Sequence, residues 1–233
     1  MNALTSSNNT SKPLTASPQV KICGLTRSDQ ALACAELGAV AIGCVFYPPS
    51  PRCVTDEQAE EICRRLPSHV CSVGVFVNDT FEAIMHKVKQ CGLKAVQLHG
   101  QEGPELAENL LKEGLLVIRG LYVNKQPSIE SADSYKASAY LVECAGGPLP
   151  GGNALTWDWS SAAEICRQKP VVLAGGLNPE NVCHAINAAL PAAVDVSSGV
   201  EAAPGIKDIG KVKSFLEAVA KTSLPTRPHK IFS

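Results

Sequence analysis

Short runs of apolar and β-branched residues recur along the chain, separated by stretches whose apolar positions fall three or four residues apart. Eight such runs stand out: Val20–Ile22, Val40–Phe46, Val70–Phe76, Ala95–Leu98, Leu115–Gly120, Ala139–Val142, Val171–Ala174 and Ala193–Val196. Their lengths suit strands buried on both faces, as in a parallel sheet covered by helices. Between them, Phe81, Ile84, Val88 and Cys91 share one face of a helix. Ile206, Ile209, Val212, Phe215, Leu216 and Val219 do the same near the end of the chain. Thr55 before Asp56-Glu57, and Asn178 before Pro179-Glu180, predict helix starts with a cap and an early acidic charge. The interval Pro127–Lys136 carries the weakest helical signal.

Eight strands alternating with crossovers predict an α/β chain folded as a (β/α)8 TIM barrel. The stretch from Val20 to Ala220 is close to the lower size limit of about 200 residues for that architecture. No linker or shift in composition divides it, so a single domain is expected over residues 19–221. An open doubly wound sheet is the alternative. It usually has fewer strands and a glycine-rich turn after the first, and Cys23-Gly24-Leu25 is not such a turn. Residues 1–18, rich in Ser, Thr, Asn and Pro without an apolar period, predict a disordered extension. Residues 222–233 read as a C-terminal tail with no assigned role.

Composition narrows the function. The 233 residues are 45% hydrophobic and 18% charged, with a net charge of -1. That balance supports one sizeable core and argues against nucleic acid or an anionic membrane as partner. No apolar run approaches the roughly 18 residues of a membrane span, and residues 1–18 lack the apolar centre of a secretory signal. Ten cysteines are present. Cys34, Cys63, Cys91, Cys166 and Cys183 fall within predicted helices, without paired spacing and without a Cys-x-x-Cys. Free thiols in a reducing, cytoplasmic setting are expected, with no metal.

In a barrel, chemistry gathers where strands end and the following loops begin. Those ends carry Cys23, Arg52, His99, Glu143, Gly175-Gly176 and Ser197-Ser198-Gly199. The glycines of Leu173-Ala-Gly-Gly-Leu-Asn-Pro179 let backbone N–H groups approach an anion. Ser197-Ser-Gly199 adds a second set of amides and two hydroxyls. Loops seven and eight are where this architecture commonly holds phosphate; tight turns alone are the alternative. Arg52, in a loop with three prolines, is placed to meet a carboxylate, unless it is merely a solvated side chain. Cys23 and Glu143, at the ends of strands one and six, face one another as a thiolate base and a carboxylic acid. A packed thiol and an ion-paired carboxylate are the alternatives there. A histidine at a strand end, such as His99, is often only hydrogen-bonded in place. His69, His86, His184 and His229 are expected on the surface.

Lys21-Ile-Cys-Gly-Leu-Thr26, Phe46 with Ser50-Pro-Arg52, Val75-Phe-Val-Asn78, Gln97-Leu-His-Gly100, Leu173–Pro179 and Val194-Asp-Val-Ser-Ser-Gly-Val-Glu201 together closely resemble phosphoribosylanthranilate isomerase, an enzyme of tryptophan biosynthesis. The resemblance spans residues 20 to about 220. It implies an Amadori rearrangement of N-(5-phosphoribosyl)anthranilate to 1-(2-carboxyphenylamino)-1-deoxyribulose 5-phosphate, with no cofactor or metal. By carry-over, Cys23 is the general base and Glu143 the general acid. Arg52 pairs with the anthranilate carboxylate, Gln97 and His99 contact substrate, and Gly175, Gly176, Ser197, Ser198 and Gly199 hold phosphate. Members of the family occur as monomers and homodimers.

One departure stands out. The family's usual aspartate after strand six, in Leu-Leu-Asp, is here Leu141-Val-Glu143-Cys, and the family's Gly-Gly-Thr-Gly is replaced by Ala145-Gly-Gly-Pro-Leu-Pro-Gly-Gly-Asn-Ala154. Glutamate extends the acid by about 1.5 Å, and a longer loop could set the strand end back. A non-catalytic phosphometabolite-binding barrel therefore stays open. So does a sibling barrel enzyme, although the lysine and glutamate set of indoleglycerol-phosphate synthase and the metal ligands of a ribulose-phosphate epimerase are missing from the strand ends.

Overall fold

The computed structural model describes residues 16–146, 156–226 and 228–232. Eight parallel strands close into a barrel in chain order: β1 (Gln19–Cys23), β2 (Ala41–Val45), β3 (Cys71–Phe76), β4 (Ala95–Leu98), β5 (Leu116–Tyr122), β6 (Ala139–Glu143), β7 (Val171–Leu173) and β8 (Ala193–Val196). β8 pairs with β1, with Lys21 opposite Asp195, and so leaves no open edge. Around the barrel run α1 (Ser28–Glu36), α2 (Asp56–Arg65), α3 (Phe81–Cys91), α4 (Pro104–Lys112), α5 (Ala163–Gln168), α6 (Val182–Ala189) and α7 (Ile209–Ala220). A small antiparallel pair, β9 (Glu201–Ala203) and β10 (Ile206–Lys207), follows β8.

Side-chain caps account for three of the seven helix starts among the described residues. Thr55 caps α2 in a reciprocal box: its hydroxyl accepts from Gln58 N, and the Gln58 side chain accepts from Thr55 N. Thr80 caps α3 and Asp208 caps α7. Three expectations need correction. Asn178 does not cap a helix; its side chain closes a turn by accepting from Glu180 N and Asn181 N, and α6 begins at Val182. Ile206 lies in β10 rather than on the α7 face, because Asp208 resets the chain before the helix. The interval after β5 forms a 3-10 helix, Ile129–Ser134, in place of an α-helix.

Two layers of apolar packing result. Alternate strand residues point outward against the helices, among them Ile22, Ile42, Val96 and Val194. The inward set is different. The even strands each begin with alanine: Ala41, Ala95, Ala139 and Ala193, all fully buried in one cluster. Four side chains from alternate strands make one layer of such a barrel, and four alanines leave it underfilled. Ile231 and Phe232 belong to the same cluster, with Phe232 only 2% exposed. Their backbone is held by Gln19, whose Oε1 accepts from Ile231 N and Phe232 N while Nε2 donates to Phe232 O at 2.6 Å. The end of the expected tail is thus a plug in the N-terminal mouth of the barrel. Of the expected N-terminal extension, residues 1–15 lie outside the described residues. Ser17 Oγ donates to Thr222 O, and Ala16 O accepts from Leu224 N, so residues 16 and 17 pack beside the returning chain.

Candidate active site

The opposite mouth holds a cavity enclosing about 560 Å³ of empty space, part of it open to solvent. Cys23, Arg52, Gln97, His99, Glu143 and Ser197 all line it, with Asp195, Tyr47 and several valines. Six of the ten residues singled out from the sequence therefore meet in one place. Among the described residues, four buried side-chain polar atoms lack a hydrogen-bond partner: Gln97 Oε1, Glu143 Oε1, Ser197 Oγ and Arg119 Nε. The first three belong to cavity-lining residues. Buried polar atoms are nearly always satisfied, so three such atoms around one hollow mark a surface shaped for a polar guest.

Cys23 ends β1 with its sulfur toward the cavity. Space for that sulfur comes from Gly43 on β2, where a Cβ would lie 2.7 Å from Cys23 Sγ. Two residues earlier on the same face, Lys21 is completely buried and its ammonium donates to Asp195 Oδ1 at 3.0 Å. Burial pushes the Cys23 thiol above its ordinary range, against the opposing pull of the Lys21 charge. For Lys21, burial works against the charged form, yet Asp195 and Cys23 together raise it to about 12.

Glu143 ends β6. His99 Nε2 lies 3.0 Å from Glu143 Oε1, without the alignment of a hydrogen bond. Gln97 Nε2 sits 3.3 Å from His99 Nδ1. With the amide as donor, Nδ1 is the acceptor and the ring proton sits on Nε2. Arg119 and Glu102 fix the loop that carries His99: Arg119 donates to Leu98 O, Gly100 O and Glu102, and Glu102 accepts from Gly100 N and Asn78 N. Beyond Glu143, Asn124 brackets Ala145 through both its amide N–H and C=O. The later part of the unusual loop six, residues 147–155, lies outside the described residues.

Arg52 is buried rather than solvated. Its Nε and Nη2 donate to the two carboxylate oxygens of Glu201, at 2.8 and 2.7 Å. Lys207 Nζ donates to the same carboxylate at 2.8 Å. Burial alone would raise the Glu201 carboxyl, but these two cations outweigh it and hold the group below its usual range. Burial lowers the Lys207 ammonium, with Glu201 opposing.

The two expected anion loops touch. Gly175 and Gly176 both have positive φ, +86° and +67°, which side-chain-bearing residues rarely adopt. A Cβ on Gly199 would overlap the Leu177 carbonyl oxygen, so loop eight can lie against loop seven only with glycine there. A Cβ at Gly175 would stand 3.2 Å from Glu143 Cβ, which puts loop seven directly beside the carboxyl. Gly175, Gly176, Ser198 and Gly199 do not line the cavity, although Gly175 adjoins Glu143 and Ser198 follows Ser197, which do. His69, His86, His184 and His229 are all exposed. No disulfide joins the cysteines of the described residues.

The sequence pattern assigns no role to Lys21, Gly43, Asp195, Glu201 or Lys207. A signal existed for the first: alternation on β1 places Lys21 on the face of Cys23, so a lysine between Val20 and Ile22 is a charge inside the barrel. Gly43 and Glu201 have no local signal, because what defines them is a neighbour on another element.

Residues 20–218 match the family model for N-(5'-phosphoribosyl)anthranilate isomerase. The chain is 54% identical over 215 residues to the N-(5'-phosphoribosyl)anthranilate isomerase of Desulfatibacillum aliphaticivorans, covering 92% of this chain and 99% of that one. The crystal structure of phosphoribosyl anthranilate isomerase from Thermotoga maritima superposes with a TM-score of 0.79 at 41% identity, over 87% of this chain and 98% of that one. A crystal structure of such an isomerase in complex with reduced 1-(o-carboxyphenylamino)-1-deoxyribulose 5-phosphate gives a TM-score of 0.75 at 41% identity, with the same coverage.

Proposed function

The chain belongs to the phosphoribosylanthranilate isomerase family, and on that premise we propose that its cavity converts N-(5'-phosphoribosyl)anthranilate to 1-(2-carboxyphenylamino)-1-deoxyribulose 5-phosphate, with Cys23 as general base and Glu143 as general acid. The observation that carries this assignment is that Cys23 and Glu143 line one cavity, with Gly175 of loop seven lying against the Glu143 side chain. A substrate with phosphate at one end and a carboxylate at the other would be gripped by its termini, which positions the ribose between them. Orientation of that kind can contribute several kcal/mol to a rate, within the range of about 7–11 kcal/mol known for well-oriented reactions.

Glu143, in its protonated form, gives its proton to the furanose ring oxygen as the bond from that oxygen to C1′ breaks. The anthranilate nitrogen lone pair forms the C1′=N bond. The Cys23 thiolate then removes the C2′ proton, and the electron pair moves through C1′ onto nitrogen to give an enol-amine. Proton return to C1′, with loss of the proton on the C2′ oxygen, leaves the ketone; no atom is gained or lost.

The anthranilate carboxylate meets Arg52. Because Nε and Nη2 are committed to Glu201, it uses the remaining edge of a guanidinium that is already fixed in orientation. The backbone amides of Gly175, Gly176, Ser198 and Gly199, and the unpaired Ser197 Oγ, take the phosphate. His99 sets the longer carboxyl of Glu143, and Gln97 Oε1 offers an acceptor to a ribose hydroxyl. Rescue of a tryptophan auxotroph lacking this isomerase tests the assignment. Growth is expected, and failure by well-expressed, folded protein contradicts it. A non-catalytic binder would instead bind the reduced product analogue without turning substrate over.

A further inference from the structure

We propose that Lys21, held by Asp195, is a positioning residue for Cys23: its buried ammonium, on the same inward face of β1, is the counter-ion available to the sulfur when the thiol ionises. The inference rests on Cys23 being the general base and names the group that makes it one.

The placement is specific. Lys21 and Cys23 are two apart on β1, so both side chains enter the barrel, Lys21 one step below. Asp195 stands opposite Lys21 across the β1–β8 ladder and takes one of its N–H groups at 3.0 Å. Asp195 itself lines the cavity, so the pair forms part of the cavity floor. Above it, Gly43 leaves only enough room for the sulfur, since a Cβ there would sit 2.7 Å from Sγ. The thiol is therefore tightly flanked by β2 on the same inward face of β1 as the ammonium.

Packing alone gives no reason for an ion pair at this depth. The neighbouring inward positions are Ala41, Val73 and Val172, and a buried pair is often no more stabilising than apolar side chains of similar volume. Charge at the thiol does give one. The groups facing Cys23 are Lys21 on its own strand, Asp195 on β8, Lys207 on β10 and Arg52 in the loop after β2, with the Cys44 thiol on β2 also within electrostatic range. Arg52 and Lys207 both spend their charge on Glu201. Lys21 acts on the sulfur most strongly among the groups that favour its ionised form. Its own proton is held up to about 12, so the counter-ion stays charged while the sulfur gains and loses its proton.

The test is the pH dependence of Cys23 alkylation by iodoacetamide in the full-length chain, followed by mass spectrometry of the Cys23 peptide, alongside kcat and KM profiles. In Lys21→Met the alkylation midpoint should rise by about one pH unit or more, a roughly tenfold loss of reactivity below the midpoint. The kcat should fall in parallel and recover as pH is raised, with KM little changed. Lys21→Arg, which keeps the charge, should stay near the parent profile. If Lys21→Met does not fold, Lys21→Gln carries the same test, because it keeps a hydrogen bond to Asp195 without the charge. An unshifted alkylation midpoint in a folded neutral variant overturns the role of Lys21 and leaves Cys23 as base untouched. Loss of fold in both neutral variants assigns the pair to stability and also overturns it. A shifted alkylation profile with an unshifted kcat profile would support Lys21 as the counter-ion while removing Cys23 from the reaction.

Discussion

The two mouths of this barrel are built from the same strands and treated in opposite ways. At the N-terminal mouth the even strands offer Ala41, Ala95, Ala139 and Ala193, and the space they leave is filled by Ile231 and Phe232. The polar atoms of Gln19 are satisfied there by the backbone of the same segment. Four residues further along β4, β6 and β8, the inward positions have become His99, Glu143 and Ser197. There, Gln97 Oε1, Glu143 Oε1 and Ser197 Oγ are buried without a hydrogen bond. One mouth is closed and satisfied; the other is hollow and unsatisfied. Free energy gained by packing the first can offset the cost of leaving polar groups unpaired at the second, the usual division between the stability face and the active face of this architecture.

The sharpest way to break that contrast is to remove the thiol. Cys23→Ala should lower kcat by about a thousandfold, within the range of a lost general base, with the affinity for the reduced product analogue little changed. Near-normal turnover would remove Cys23 from the reaction. Next, Glu143→Asp restores the residue typical of the family, yet should lower kcat by about ten- to a hundredfold. The carboxyl is drawn back by about one bond from His99 and from the substrate, and displacements of ~1 Å can be that costly. Equal or higher turnover would show that the mouth is not fitted to glutamate. Arg52→Ala should raise KM about tenfold through loss of a charge-assisted contact, which steady-state kinetics reads directly.

At the other mouth the expected effects fall on stability. Phe232→Ala should destabilise the fold by about 3–5 kcal/mol, lowering Tm by about 6–20 °C, while kcat stays unchanged. A fall in kcat at temperatures where the variant is folded would show that the two mouths are not separate. The smallest effect concerns acid. Glu201 is held below its usual range when folded, so its contribution is present above the unfolded value, near 4.5, and is lost as pH falls through the folded value. Glu201→Gln should therefore flatten the decline of Tm below about pH 4.5; an unchanged decline assigns acid sensitivity elsewhere.

Much of the closed part of the molecule was legible locally. Ala95–Leu98 and Ala193–Val196 are strands at the expected residues, and the other six strands lie within a residue or two of their apolar runs. Strand runs carry their information in consecutive residues, and so does the Thr55 cap. The misplaced elements depend on competition. Asn178 had two ways to satisfy nearby amides and took the turn, and Ile206 carried helical spacing but stood before a stronger cap at Asp208. At the site, Cys23, Arg52, Gln97, His99, Glu143 and Ser197 were legible because strand ends in a barrel converge. What could not be seen were pairings across large sequence separations. Glu201 finds Arg52, Asp195 finds Lys21, and Phe232 returns to Gln19. Each is decided by closure of the barrel, which no local pattern encodes.

The most direct measurement is a crystal structure of this chain with reduced 1-(2-carboxyphenylamino)-1-deoxyribulose 5-phosphate. The phosphate should rest on the amides of Gly175, Gly176, Ser198 and Gly199, the carboxylate on Arg52, and C2′ about 3–3.5 Å from Cys23 Sγ, the range of a near-attack arrangement. A ligand bound with C2′ turned away from Cys23, or a phosphate seated outside loops seven and eight, would contradict the account.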